Sequence, residues 1–347
     1  MRLFCSSGIA RTLRGFDALR SMAAFALSLA AVAAGAADLA PLRVKVFPGA
    51  QNLPIFVGLA KGVFEKHGLK IDLQFTASSP EQRDGLAAGA FEIAHAAVDN
   101  AVAMVELAGK DVVIVMGGDS SMNEFFVQPA IQSVKDLRGK IVLVDAPNTA
   151  YALQAKKVLL VNGLKEGTDY TVKPVGGTPF RMRGMLESPD AAAAVINLPY
   201  SLLAKQKGLK SLGRTVDLLG PYQATGAFVL RSWAQANGPL LERYIAAYIE
   251  STRLALQPSN RDLGMKVLAE RLQKIVQLSP EEAAQTYDLL MDPKFGLSPD
   301  AKFDIQGFRN VLALRAEIEG SWGGKAPAPD KYLDLSYYQR ALQSLGR

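Results

Sequence analysis

Residues 42–75 read LRVKVFPGAQNLPIFVGLAKGVFEKHGLKIDLQF, and this stretch decides the fold. A short apolar, β-rich run (42–47) passes through a turn holding Gln51 and Asn52 into a longer segment of helical character (53–66). Gly68 follows that segment, and a second β-rich run (70–76) begins. Strand, helix and strand in succession are the unit from which parallel sheets are built. The alternation continues with a helix at 80–88, a strand at 91–96, a helix at 101–108 and a buried strand at 112–116. A second series then starts. Strands at 141–145, 171–175, 191–196 and 209–212 alternate with helices at 151–161, 180–186 and 200–207. After Gly226 a returning strand (227–230) gives way to helical sequence. There Leu241, Ile245, Tyr248, Ile249 and Leu256 share one helix face. Ser279-Pro280-Glu281-Glu282 is a capping box with proline at the first helical position, and 306–318 and 335–345 are further helices.

The predicted class is therefore α/β with a helical C-terminal extension. Two lobes around a cleft satisfy the pattern, with the chain crossing near 123–128 and returning near 220–226. One continuous doubly wound sheet satisfies it too.

The N-terminus bears on location. Residues 1–20 carry Arg2, Arg11, Arg14 and Arg20 against one acid, Asp17, and an uncharged Ala- and Leu-rich run spans 21–37. Small residues, Ala34-Gly35-Ala36, precede Asp38 and Pro41. A positive n-region, a short apolar h-region and an A-x-A-like site predict a secretory signal peptide (1–36) cleaved near Ala36. The expected location is the periplasm. The lone cysteine, Cys5, precedes the apolar run, so it is not the acylated residue of a lipoprotein. Without residues 1–36 the formal charge drops from +6 to +3, so much of the basicity belongs to the export signal. No basic run interleaved with aromatics points to nucleic acid. The cysteine-free remainder excludes disulfides and thiolate chemistry, and only His67 and His95 offer imidazoles. No G-x-S-x-G, P-loop, G-x-G-x-x-G or H-E-x-x-H motif is present, and no cofactor or metal is expected.

In open α/β sheets, ligands sit beyond the carboxyl ends of the strands, where each strand turns into its helix. Those turns hold Gln51 and Asn52; Ser78 and Ser79; Asp99 and Asn100; Asn148 and Thr149; Gly176, Gly177 and Thr178; and Asn197, ahead of Pro199 and Tyr200. Singly, each reads as a helix cap. Their recurrence in both series points to ligand binding at helix N-termini, which favour anions. Asp99 argues instead for an amine or ring N–H. Arg181 and Arg183 offer counter-charge, although at N3 and beyond such residues more often lie on a solvated helix face. The sign of the ligand's charge stays open.

Four passages carry a family likeness: Leu59-Ala60-Lys61-Gly62-Val63-Phe64-Glu65-Lys66-His67-Gly68-Leu69; Leu86-Ala87-Ala88-Gly89-Ala90-Phe91-Glu92-Ile93-Ala94; Ser133-Val134-Lys135-Asp136-Leu137-Arg138-Gly139-Lys140; and Ala194-Val195-Ile196-Asn197-Leu198-Pro199-Tyr200. The chain resembles periplasmic substrate-binding proteins of ABC importers in the nitrate/sulfonate/taurine and thiamine-precursor-like superfamily, from about residue 41 to at least residue 253. The resemblance implies a two-lobed, type II-like periplasmic-binding-protein fold, with lobe 1 at 41–125 plus 222–347 and lobe 2 at 126–221. It also implies a monomer that captures a small organic solute and hands it to ABC permease membrane subunits. The implied ligand contacts are Gln51, Asn52, Ser79, Asp99, Asn100, Asn148, Thr149 and Asn197, which the junction reading extends to Thr178 and Tyr200. Asp99 departs from the sulfonate and nitrate members. The cysteine-rich iron-binding motif of the pyrimidine-synthesising branch is absent. An enzyme on the same scaffold, using His95 with Asp99, and a sensor subunit that reports solute to a membrane receptor are the alternatives.

Overall fold

The computed structural model describes residues 39–346, so the predicted signal peptide and Cys5 lie outside the described residues. Two five-stranded sheets organise the chain. The first contains β1 (Ala40–Val46), β2 (Leu69–Phe75), β3 (Ile93–Ala97), β4 (Val112–Gly117) and β10 (Thr225–Leu230), in the order β2-β1-β3-β10-β4. The second contains β5 (Glu124–Val127), β6 (Ile141–Val144), β7 (Thr171–Pro174), β8 (Ala191–Ile196) and β9 (Lys210–Arg214), in the order β7-β6-β8-β5-β9. The fold is two-lobed α/β with a helical C-terminal part, as the sequence predicts. One continuous sheet is ruled out.

The two sheets share a plan. In each, one strand runs antiparallel to its neighbours: β10 pairs β3 and β4, and β5 pairs β8 and β9. Those are the strands that follow the two crossings, so each lobe receives its antiparallel strand from the passing chain. Sequence reading took 123–128 for a crossing. The run is nonetheless a strand, because Phe125, Phe126 and Val127 are buried between β8 and β9.

Apolar burial holds each layer. Leu42, Val44 and Val46 of β1 pack with Val113, Val115 and the helix Gly238–Ala255, which contributes Leu241, Tyr244, Ile245 and Ile249. On the other face Ala94, Ile114 and Phe228 meet Phe308, Val311 and Leu312 of the helix Ile305–Glu319. Burying each such large side chain contributes about 1.5–3 kcal/mol.

The helix expected over 53–66 is broken in two, Leu53–Ala60 and Val63–Lys66, because Gly62 adopts a left-handed φ of 66°. The capping box at Ser279 forms both of its bonds: Ser279 Oγ accepts from Glu282 N at 3.2 Å, and Glu282 Oε2 accepts from Ser279 N at 2.7 Å. Among the described residues no helix is long and apolar enough to cross a membrane.

Candidate functional site

The carboxyl ends of the parallel strands in both sheets face a common cleft. It holds a cavity of about 40 Å³. At about 10–15 Å³ per water, that is room for a few waters or a compact solute. The first sheet contributes Phe47, Pro48, Gln51, Ser79, Ala96, Ala97, Asn100 and Thr225. The second contributes Asp145, Thr149, Ala150, Tyr151, Gly177, Thr178, Arg181 and Asn197.

Of the residues read from the sequence, Gln51, Ser79, Asn100, Thr149, Thr178 and Asn197 therefore share one cavity wall. Asn52, Asp99, Asn148 and Tyr200 do not reach it, and each has a physical reason. Asn52 turns inward, its Nδ2 donating to the carbonyls of Phe47 (2.7 Å) and Gly49 (3.1 Å). Asp99 is consumed by Arg315, whose Nε and Nη2 donate to its two oxygens at 2.7 and 2.6 Å, both side chains 1 % exposed. The amine-receiving role expected of Asp99 is thereby corrected. Asn148 accepts from Arg83 Nη2 at 3.3 Å through its side chain and from Arg315 Nη2 at 2.8 Å through its carbonyl. Tyr200 is buried, its hydroxyl donating to the Pro48 carbonyl at 3.1 Å.

Sequence reading missed Asp145, Tyr151 and Thr225 as wall residues and favoured a solvated face for Arg181, which the structure corrects. Arg181 is 1 % exposed. Its Nε donates to the Val195 carbonyl (3.2 Å), Nη1 to the Gly176 carbonyl (2.8 Å) and Nη2 to Thr178 Oγ1 (2.9 Å). A guanidinium has five N–H donors, so two remain. The Tyr151 ring lies 5.2 Å from its central carbon. Among the described residues no carboxylate comes within ion-pair distance of it. Burial pulls its pKa below the usual arginine range, with Asp145 and Tyr151 opposing that pull. Arginine starts so high that the side chain stays charged. Arg183, two residues on, is exposed and lies against Phe180.

Directly beside it, the helix Ala150–Val161 opens on the cavity without a side-chain cap. Thr149 spends its hydroxyl on the Ala146 carbonyl (2.9 Å), and the amides of Ala150 and Tyr151 bond no acceptor among the described residues. Unbonded N-terminal amides and a buried guanidinium together make positive potential, which the Asp145 carboxylate in the same wall offsets in part.

Polar contacts tie the lobes across the cleft. Ser79 N donates to both Asp145 oxygens (3.0 and 3.3 Å), and Gly177 N donates to the Ala77 carbonyl (2.8 Å). Asn197 Nδ2 donates to Gln51 Oε1 at 3.3 Å. A Cβ on Gly177 would stand 3.2 Å from the Ala77 carbonyl and 3.3 Å from the Phe47 ring, so glycine permits this close approach.

His95 points away from the cavity. Its Nε2 bonds the Tyr244 hydroxyl at 2.7 Å and its ring stacks on Tyr248 at 5.0 Å. The His95–Asp99 pair that an enzymatic reading needs is not formed. Burial pushes the His95 pKa down to about 3, against about 6.5 in an unfolded chain. The unfolded state thus binds the extra proton between those values. The stability this group contributes is complete above pH 6.5 and is lost as pH falls toward 3. We expect acid denaturation curves to show it. Between pH 7 and 5 the His95→Phe variant should lose about 2 kcal/mol less unfolding free energy than the wild type. Parallel losses would contradict a neutral, buried His95.

Residues 35–269, more than half of the chain, match the NMT1-like family, and the chain belongs to that family. No curated protein matches it. Among solved structures it is similar to a protein from Bordetella bronchiseptica RB50 (19 % identity, TM-score 0.76, covering 89 % of this chain and 98 % of that one). It is similar to the periplasmic nitrate-binding protein NrtA from Synechocystis PCC 6803 (14 % identity, TM-score 0.73, 89 % and 90 % covered). It is also similar to the alkanesulfonate-binding protein SsuA from Xanthomonas axonopodis pv. citri, solved with MOPS (19 % identity, TM-score 0.65, 87 % and 97 % covered). These likenesses establish the shared fold.

Proposed function

We propose that this chain is an extracytoplasmic solute-binding protein that closes its two lobes on a small organic anion and delivers it, as a monomer, to the membrane subunits of an ABC permease. The observation that carries the reading is Arg181, a buried cation in the wall of an inter-lobe cavity with no carboxylate within ion-pair distance among the described residues and beside an uncapped helix N-terminus. A buried charge without a partner is unfavourable, and an anionic solute relieves that cost. A ligand that touches both lobes binds the closed state better than the open one, which is what drives closure. The names of the structural relatives, nitrate-binding and alkanesulfonate-binding, point the same way. The export signal expected at 1–36 fits periplasmic work. On this account Asp145, already held by Ser79, is a closing contact between the lobes rather than the ligand's counter-ion.

Thermal unfolding of the purified protein against small carboxylates, sulfonates, amines and neutral heterocycles tests the reading. A true ligand at a hundredfold excess over Kd stabilises by about 2.7 kcal/mol, and the expected shift appears with acids. A shift confined to amines, or turnover of a bound compound, would overturn it.

A further inference from the structure

Two stretches of chain join the sheets: residues 118–123 lead from β4 to β5, and 215–224 lead from β9 back to β10. The first stretch is anchored to a different lobe at each end. On the first sheet's side, the Asp119 carbonyl accepts from Ala224 N at 3.1 Å, and its carboxylate accepts from the Thr225 hydroxyl. On the second sheet's side, Asn123 Nδ2 donates to Gln154 Oε1 of the helix Ala150–Val161 at 3.1 Å. Ser121 stands midway between the two anchors, and two unfavourable features meet in it. Its φ is 84°, in the left-handed region where a Cβ is crowded by the backbone. Its Oγ is buried with no hydrogen-bond partner among the described residues. The second stretch also has a positive φ, 73°, but places Gly220 there, which has no Cβ to crowd. Only the first stretch is therefore strained.

We propose that Ser121 is a strained pivot that holds the ligand-free protein toward its open form. The left-handed φ and the sealed hydroxyl belong to the closed state, and opening returns φ to the β region and the hydroxyl to water. Ser121 N donates to Asp119 Oδ1 at 2.9 Å. A change in φ turns the chain about the N–Cα bond, so that amide stays bonded while everything after it swings. Resting on the solute-capture reading above, the pivot gives closure a meaning: the lobes stay shut only when a solute supplies the difference. Apparent affinity is then reduced by the small fraction of free protein that is closed.

The test is calorimetric titration of wild type, Ser121→Ala and Ser121→Gly with acetate, propanoate, methanesulfonate and propanesulfonate. Ser121→Ala removes the hydroxyl and keeps the strained φ, so it should bind at least about fivefold more tightly than wild type. Ser121→Gly removes both and should gain at least about another fivefold. A glycine variant no tighter than the alanine one would overturn the strained φ. Equal affinities in all three proteins would overturn the pivot and leave solute capture standing, even if the variants resist denaturant better, because the strain would then be present in open and closed forms alike. If none of the four acids binds the wild type, the capture reading fails by itself. Small-angle X-ray scattering of the ligand-free proteins then decides the pivot: a smaller radius of gyration in Ser121→Gly supports it, and an unchanged one overturns it.

Discussion

Arg315→Ala is expected to lower the unfolding free energy by about 3–5 kcal/mol, the largest stability effect we anticipate from one substitution. Arg315 and Asp99 are each 1 % exposed and form a two-pronged ion pair, and Arg315 also donates to the Asn148 carbonyl. Removing the guanidinium leaves the Asp99 carboxylate buried and unpaired, a much larger cost than the pair's net worth. The double variant Asp99→Leu, Arg315→Met should recover most of the loss, since an apolar replacement of similar volume leaves no orphaned charge. Denaturant titration checks both. The bond to Asn148 gives the pair a second task, because Asn148 belongs to the second sheet's side of the cleft while Arg315 packs with the first. An Arg315→Ala protein as stable as the wild type would mean that solvent reaches Asp99.

Arg181→Met should abolish the ligand-induced shift and weaken binding of the acid by at least about a hundredfold, the scale for deleting one partner of a desolvated charge pair. Arg181→Lys should fall between, because an ammonium keeps the charge but not the planar fork that bonds Val195, Gly176 and Thr178 together. Without ligand, Arg181→Met should fold, since it removes a buried charge rather than stranding one. Titration of both variants reads the effect. Unchanged affinity in Arg181→Met would remove Arg181 from the site.

The junction rule located the cavity but did not say which side chain at each junction faces it. Gln51 and Asn52 are adjacent, yet only Gln51 lines the wall, because Asn52 finds the Phe47 and Gly49 carbonyls closer at hand. Asp99 looked like a ligand contact because its partner, Arg315, is remote in sequence and no local pattern joins them. Arg181 was read toward a solvated face, and helix geometry explains why it is not there. Helical side chains lean toward the N-terminus, so an arginine three residues after Thr178 reaches back over the helix start instead of out to solvent. That position, together with Gly176 and Gly177 ahead of it, was the available signal. The parallel strands and most helices were legible because their apolar runs are long or punctuated by Gly and Pro. Strand β5 (Glu124–Val127) was not, since four residues inside the stretch read as the first crossing look like connector until their neighbours are known.

The most direct test of capture between the lobes is amide hydrogen exchange with and without the tightest-binding acid of the thermal panel. Capture between the lobes should protect both at once, at Ala96–Asn100 on one side and at Thr149–Tyr151 and Gly177–Arg181 on the other. Protection confined to one lobe, or lying away from these segments, would contradict it.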